Sequence, residues 1–175
     1  MSRNLTVRVA RIVPQTPEIL AFELVHPWGG RLPGFAAGAH VQVHTPGGFA
    51  RQYSLVNPPL DAPCERYVIG VKREPASRGG SQALHERVRE GDLLCVSEPH
   101  NTFALAPQAK RHLLLAGGIG VTPLLAMARQ LQHAGADFQL CAFARSREHL
   151  AFAGALEALA PNVRLHLDDP AADAR

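Results

Sequence analysis

The sequence predicts two domains of different class: a six-stranded antiparallel β-barrel over residues 1–108 and a partial α/β layer over residues 109–175. Three observations lead there. Before residue 110, apolar residues alternate in short runs separated by Gly, Pro and Asn turns, with one brief helical piece. That is the pattern of a small barrel. After residue 110 the order becomes strand, helix, strand, helix, strand, the start of a parallel sheet with covering helices. The two patterns meet at Arg111–Leu125, RHLLLAGGIGVTPLL, where a short apolar run passes through glycines into helical spacing.

In chain order, Leu5, Val7 and Val9 alternate with Thr6, Arg8 and Ala10 as a half-buried strand. Leu20, Phe22 and Leu24 alternate with Ala21 and Glu23 as a second. His26–Gly38 is a loop whose Trp28, Leu32 and Phe35 are expected to fasten it to the core. The third strand covers His40–His44, with Val41 and Val43 on one face. Pro46-Gly47-Gly48 turns the chain into Ala50–Val56, which Asn57-Pro58-Pro59 stops. The fifth strand is Arg66–Lys72, with Tyr67, Ile69 and Val71 on one face. Leu84 and Val88 share a side of a short helical piece, and Gly91-Asp92 turns into the sixth strand, Leu93–Ser97. Pro99–Ala109 reads as a connector.

Leu113–Ala116 has the length and composition of a buried parallel strand. Thr122 is expected to cap the helix Pro123–His133, because a proline at the first helical position forgoes no hydrogen bond. Strand Phe138–Phe143, helix His149–Leu159 and strand Val163–Leu167 follow. The pattern ends at Asp168-Asp169-Pro170 and a polar, alanine-rich tail.

Two kinds of segment carry chemistry. A strand, a glycine turn and a capped helix place free N–H groups and a positive dipole end where a phosphate or pyrophosphate sits. The alternative is that these glycines only permit a tight turn. In RQYSL, Arg51 and Tyr53 share one face with Leu55, and Gln52 and Ser54 the other. Arg78 precedes Gly79, Gly80 and Ser81 at a helix start. A guanidinium, a hydroxyl and adjacent N–H groups are the parts that hold a phosphate monoester; the same four residues also suit a flexible surface turn.

Composition narrows the function classes. The 18 basic and 15 acidic residues leave a net charge of +3, scattered along the chain with no basic patch interleaved with aromatics. Nucleic acid is therefore not the expected partner. The nine histidines form no pair with metal-ligand spacing. Cys64, Cys95 and Cys141 lie far apart, as neither a disulfide framework nor a ligand cluster, so no metal site is expected and a reducing compartment is the default. The N-terminus lacks a signal-peptide core. The least polar window, His112–Ala128, contains three glycines and a proline and is short for a bilayer span. The expectation is a soluble cytoplasmic protein with no membrane partner.

Taken in order, RQYSL, VKR at Val71–Arg73, RGGS, GGIGVTP and ARSRE resemble the ferredoxin-reductase superfamily. Within it they look most like the reductase components of Rieske-type aromatic oxygenases, the phthalate dioxygenase reductase and vanillate demethylase reductase group. The resemblance implies a flavin-binding barrel of the ferredoxin-reductase type followed by a Rossmann-like nucleotide-binding domain. FMN is the implied flavin, because no segment clearly offers room for the AMP half of FAD. Complete relatives add a plant-type [2Fe–2S] domain. This chain has neither those cysteines nor a Cys-Gly-Pro segment after its sheet, and is read as incomplete at its C-terminus.

By the same resemblance, Arg51, Tyr53 and Ser54 match the flavin motif, with Ser54 near the reactive side of the isoalloxazine. Val71 and Lys72 match backbone and side-chain contacts to the flavin, and Arg78, Gly79, Gly80 and Ser81 match the phosphate cradle. Gly117, Gly118, Gly120 and Thr122 match the loop between flavin and nicotinamide, while Arg145 and Ser146 match the segment near the adenosine ribose. The implied reaction takes a hydride from NADH onto FMN and passes single electrons through an iron–sulfur cluster to a Rieske-type oxygenase. A stand-alone NAD(P)H flavin reductase and a non-catalytic flavin- or anion-binding barrel fragment are the alternative readings.

Overall fold

Alternation of apolar and polar residues becomes a barrel here because the strands turn alternate residues into one shared core. A computed structural model describes residues 3–59, 61–76 and 78–169; the tail expected from Pro170 onward lies outside the described residues. The strands are β1 (Asn4–Thr16), β2 (Ile19–Val25), β3 (Ala39–Thr45), β4 (Phe49–Ser54), β5 (Arg66–Lys72) and β6 (Leu93–Ser97). They pair antiparallel in the order β4-β3-β6-β1-β2-β5. Helix α1 (Gly80–Arg87) lies between β5 and β6, and a two-residue strand β7 (His100–Asn101) pairs with β3 inside the expected connector.

β1 is twice as long as its alternating core because it serves two partners. Asn4–Arg8 pair with β6, and Arg8 to Thr16 pair with β2. Register shifts at Val9/Arg11 and Pro14/Thr16 let the strand bend between them. Inside, Val7, Val9, Phe22, Leu24, Val41 and Ile69 are fully buried. Tyr67 is also buried, and its hydroxyl donates to the Pro33 carbonyl at 2.7 Å. Its ring meets Phe35 edge-on at 5.8 Å, so Leu32 and Phe35 do fasten the loop, as expected. Trp28 does not: it is 79% exposed. His26 Nδ1 accepts the N–H groups of Trp28 and Gly30, so the turn closes on itself and the indole projects outward.

The second sheet is parallel, in the order β10-β9-β8, from β8 (Arg111–Gly117), β9 (Asp137–Ala144) and β10 (Val163–Leu167). Helix α2 (Val121–His133) covers one face, laying Leu124, Leu125, Ala128 and Leu131 among Leu114, Ala116, Phe138 and Leu140. The other face is open, with Leu113, Leu115 and Phe143 exposed by 63%, 61% and 46%.

Two helix boundaries differ from the sequence expectation. α2 starts at Val121, directly after a single 3-10 turn at Gly118–Gly120. Thr122 therefore lies inside the first turn and is not its cap; Gly120 occupies the cap position without a side-chain bond. The Thr122 hydroxyl donates to the Ile119 carbonyl at 3.0 Å, and Pro123 still sits where its N–H would be unpaired. The expected helix His149–Leu159 shrinks to α3 (Ala153–Glu157). Phe152 adopts a left-handed conformation, with φ of 58°, which a right-handed helix of L-residues cannot run through.

The two sheets are not separate bodies. Ile19, Ala21, Ala37 and Val56 of the barrel belong to the same buried cluster as α2 and the parallel sheet. Gly70 in β5 shows how close the approach is. A Cβ there would lie 2.8 Å from Thr122 Cγ2 and 3.1 Å from the Phe152 ring.

Candidate functional site

β4 and β5 are the two ends of the barrel's strand order. Among the described residues they are joined backbone to backbone where Leu55 bridges Ile69 and the Val56 N–H donates to the Val68 carbonyl at 2.9 Å. Asn57 reinforces that seam, donating to the Arg66 carbonyl at 3.1 Å and accepting the Val68 N–H at 2.8 Å. Outside the seam, among the described residues, no ladder joins Arg51–Ser54 to Gly70–Lys72, so a slot separates these two strand edges, with α1 packed against both strands. Edge backbone groups of this kind are ready to bond a planar polar ligand. The Val71 carbonyl is engaged by His85 Nε2 of α1 at 2.9 Å, and the Val71 side chain is buried.

One end of the slot is cationic. A Cβ on Gly80, the first residue of α1, would lie 3.0 Å from Arg51 Cγ, so any larger residue there would require the Arg51 side chain to shift. This contact joins RQYSL to RGGS, segments separated by more than twenty residues. Arg51 Nη1 donates to the Ala50 carbonyl at 2.8 Å, and its guanidinium lies 5.1 Å from the Phe49 ring centroid. Gly79 caps α1 without a side-chain bond, no acidic residue occupies the first turn, and Arg78 is exposed just before it. The Ser81 hydroxyl accepts the Glu74 N–H at 3.2 Å and holds the preceding loop. Two guanidiniums beside a helix N-terminus make a seat for an anion.

Tyr53 is half-buried beside Arg51. Burial pushes its phenol up to about 12, against the opposing pull of the Arg51 charge. Ser54 stands directly across from His40 in the β3–β4 register, and His40 in turn faces His100 of β7, ring centroids 6.3 Å apart. Burial and then His100 lower the His40 pKa, favouring the neutral ring.

A second feature lies where the parallel strands end. Gly117, Gly118 and Ile119 after β8, Phe143 to Arg145 at the end of β9 and Asp168 after β10 line a cavity of about 350 Å³. Thr16, Glu18, Ile19 and Lys72 of the barrel close its other side. Open α/β sheets take ligands at this carboxyl edge. Lys72 thus reaches from the slot into the crevice, its ammonium 3.8 Å from Glu18 and 4.0 Å from Glu74. Arg145 lines the crevice, and beside it the buried Ser146 bonds His149 Nδ1 through its hydroxyl at 2.9 Å. Thr122 stands apart from the crevice lining, its hydroxyl committed to Ile119 and its methyl to Gly70.

Sequence reasoning missed Arg129. It sits on α2 and donates from Nη1 to the Val56 carbonyl at 2.9 Å. It borders a cavity of about 710 Å³ with Ala36, Pro58, Pro59 and Asp61. No local pattern could have flagged it, because its partner is a backbone carbonyl 73 residues away.

No protein-family model matches the chain. The vanillate O-demethylase oxidoreductase of Pseudomonas sp. (strain HR199 / DSM 7063) is 47% identical over 165 residues, covering 93% of this chain and 51% of that protein. The toluene-4-sulfonate monooxygenase system reductase subunit TsaB1 of Comamonas testosteroni is 43% identical over 170 residues, covering 97% and 54%. Among solved structures, phthalate dioxygenase reductase superposes with a TM-score of 0.87 at 40% identity over 94% of this chain and 52% of that one. The chain spans about half the length of the relatives it matches. Sequence and fold together make it a homologue of the oxygenase reductases of the phthalate dioxygenase reductase and vanillate demethylase reductase group.

Proposed function

We propose that residues 1–108 form a flavin-binding barrel and residues 109–175 the first part of a nucleotide-binding domain, together half of an oxidoreductase. In this reading the complete protein takes a hydride from NADH and delivers single electrons through a [2Fe–2S] centre to a Rieske-type oxygenase in the cytoplasm. The single observation that carries it is the slot between β4 and β5, cationic at Arg51 and α1 and opening through Lys72 onto the crevice of the parallel sheet. Arg51, Arg78, Gly79, Gly80 and Ser81 fit a flavin phosphate, which favours FMN. Tyr53, Ser54 and the backbone of Val71 and Lys72 border the slot where the ring belongs. Gly117, Gly118 and Gly120 form the turn against which nicotinamide lies, and Arg145 and Ser146 receive the adenosine ribose.

Bound flavin supplies the conversion of a two-electron donor into single-electron steps. The chain's own contribution is placement and electrostatics. Tyr53 and His40, both favoured in their neutral forms by burial, add no charge beside Ser54, so the charged side chains near the slot are those of Arg51 and Lys72. The anionic phosphate is countered at the opposite end by Arg51 and Arg78.

The test begins with the absorption spectrum of the purified chain, with phosphodiesterase treatment distinguishing FMN from FAD. Arg78→Ala removes one charge-assisted contact, worth about 1.5–3 kcal/mol, so FMN affinity should fall about tenfold or more. Riboflavin, which has no phosphate, should bind both proteins equally. Equal FMN affinity in the two rejects the phosphate assignment. Release of free reduced flavin during turnover, with no transfer to a supplied iron–sulfur acceptor, favours the stand-alone flavin reductase.

A further inference from the structure

We infer that Arg129 is a positioning residue that ties the glycine turn to the flavin slot by fastening α2 to the seam where the slot closes. The inference rests on the reading above and deepens it. Val56 joins the seam to α2, because its N–H and its carbonyl bond different partners. Its N–H donates to the Val68 carbonyl and closes β4 against β5. Its carbonyl accepts Arg129 Nη1 at 2.9 Å. The residue that sets where the slot ends is therefore also the residue that α2 holds.

The other end of the same helix is fixed as well. Thr122, in the first turn, packs its methyl on Gly70, part of the β5 edge. Arg129 lies seven residues further on, about 10 Å along the axis at 1.5 Å per residue. α2 thus runs along the seam, resting on Gly70 of β5 at one end and on Val56, just beyond β4, at the other. The glycine turn Gly118–Gly120 runs straight into this helix, so a shift of α2 moves the turn relative to the slot.

Arg129 makes no ion pair among the described residues, although Glu23 and Arg66 border one adjoining cavity and Asp61 and His133 the other. Burial disfavours its charge. A guanidinium so placed is usually paired with a carboxylate; here its one bond goes to a carbonyl. A charged donor makes that bond roughly twice as strong as a neutral one. Gln130 adds a weaker tie, its Oε1 accepting the Ala37 N–H at 3.4 Å.

The test compares the 175-residue chain with R129A and R129K, free of flavin and loaded with FMN. In flavin-free R129A, hydrogen exchange should rise on the order of tenfold in peptides covering 54–57 and 117–124, while β1 and β6 keep their protection. R129K, which keeps the charge on a different reach, should recover part of it. In the FMN-loaded chain the limiting rate of flavin reduction at saturating NADH should fall on the order of tenfold or more, since a misplacement of about 1 Å is that expensive. The NADH dissociation constant should move less than about threefold. Exchange that rises only around residue 129, or lost NADH affinity at an unchanged limiting rate, overturns the inference. If the parent chain binds FMN but is not reduced, its partial nucleotide domain does not orient NADH and the exchange measurement alone decides the role of Arg129; a parent chain that binds no flavin overturns the functional reading.

Discussion

The chain has two tyrosines, Tyr53 and Tyr67, and burial raises both phenol pKa values. That of Tyr53 reaches about 12; that of Tyr67 is raised further, with the nearby Cys64 and Glu98 adding to the effect of burial. The sign of the consequence follows from proton counting. Between about pH 10, where an unfolded tyrosine ionises, and about 12, the folded chain holds protons that the unfolded chain has lost. Stability therefore falls as pH rises through that window, and Y53F should flatten part of the slope. Tyrosinate absorbance near 295 nm checks it directly: the native chain should show almost none at pH 10, and a full tyrosinate there contradicts the burial argument. Tyr67 also matters at neutral pH. Y67F leaves the Pro33 carbonyl only the weak thiol donor of Cys64 at 3.5 Å and should cost about 1–2 kcal/mol in denaturant unfolding, without altering FMN affinity.

At the scale of elements, the consequential contact is a strand against a helix. Gly70→Ala places a methyl where Thr122 Cγ2 and the Phe152 ring already stand, and neither can retreat easily. Phe152 is held in a left-handed conformation at the start of α3, and Thr122 is tied to Ile119. Overpacking of this kind costs about 1–3 kcal/mol. Because the displaced element carries the glycine turn, G70A should also slow flavin reduction. Urea unfolding and stopped-flow reduction measured on the same preparation check both. A variant as stable and as fast as the parent would show that α2 does not rest on β5 in solution.

At the scale of the molecule, the barrel and the parallel sheet are joined by a core rather than a linker. Ile19, Ala21, Ala37 and Val56 bury their side chains among those of α2. Far-UV circular dichroism and hydrogen exchange should accordingly report one cooperative unfolding transition, with both sheets lost together; two resolved transitions would count against the shared core. Trp28, the one tryptophan, is 79% exposed. Its emission should change little on unfolding and would be a misleading probe. The open sheet face is a different matter. Leu113 and Leu115 are more than half exposed, so L113K should alter stability by no more than about 0.5 kcal/mol.

The sequence by itself determined most of the local conformations and the segments proposed for the site. Period-two runs placed all six barrel strands, because alternation is an intrachain property that needs no partner to be read. RQYSL, RGGS and the glycine turn were visible for the same reason: each packs its chemistry into four or five consecutive residues. Only the tertiary structure decided where strands stop and helices begin. β4 ends at Ser54 because Leu55 and Val56 are drawn to β5, and Thr122 enters the helix because Gly120 takes the cap position. It also decided that Arg51 and Gly80 touch, that Trp28 faces outward, and that Arg129 grips a carbonyl of the barrel. Those outcomes depend on pairs far apart in the chain, and such pairs leave no period, spacing or motif along it.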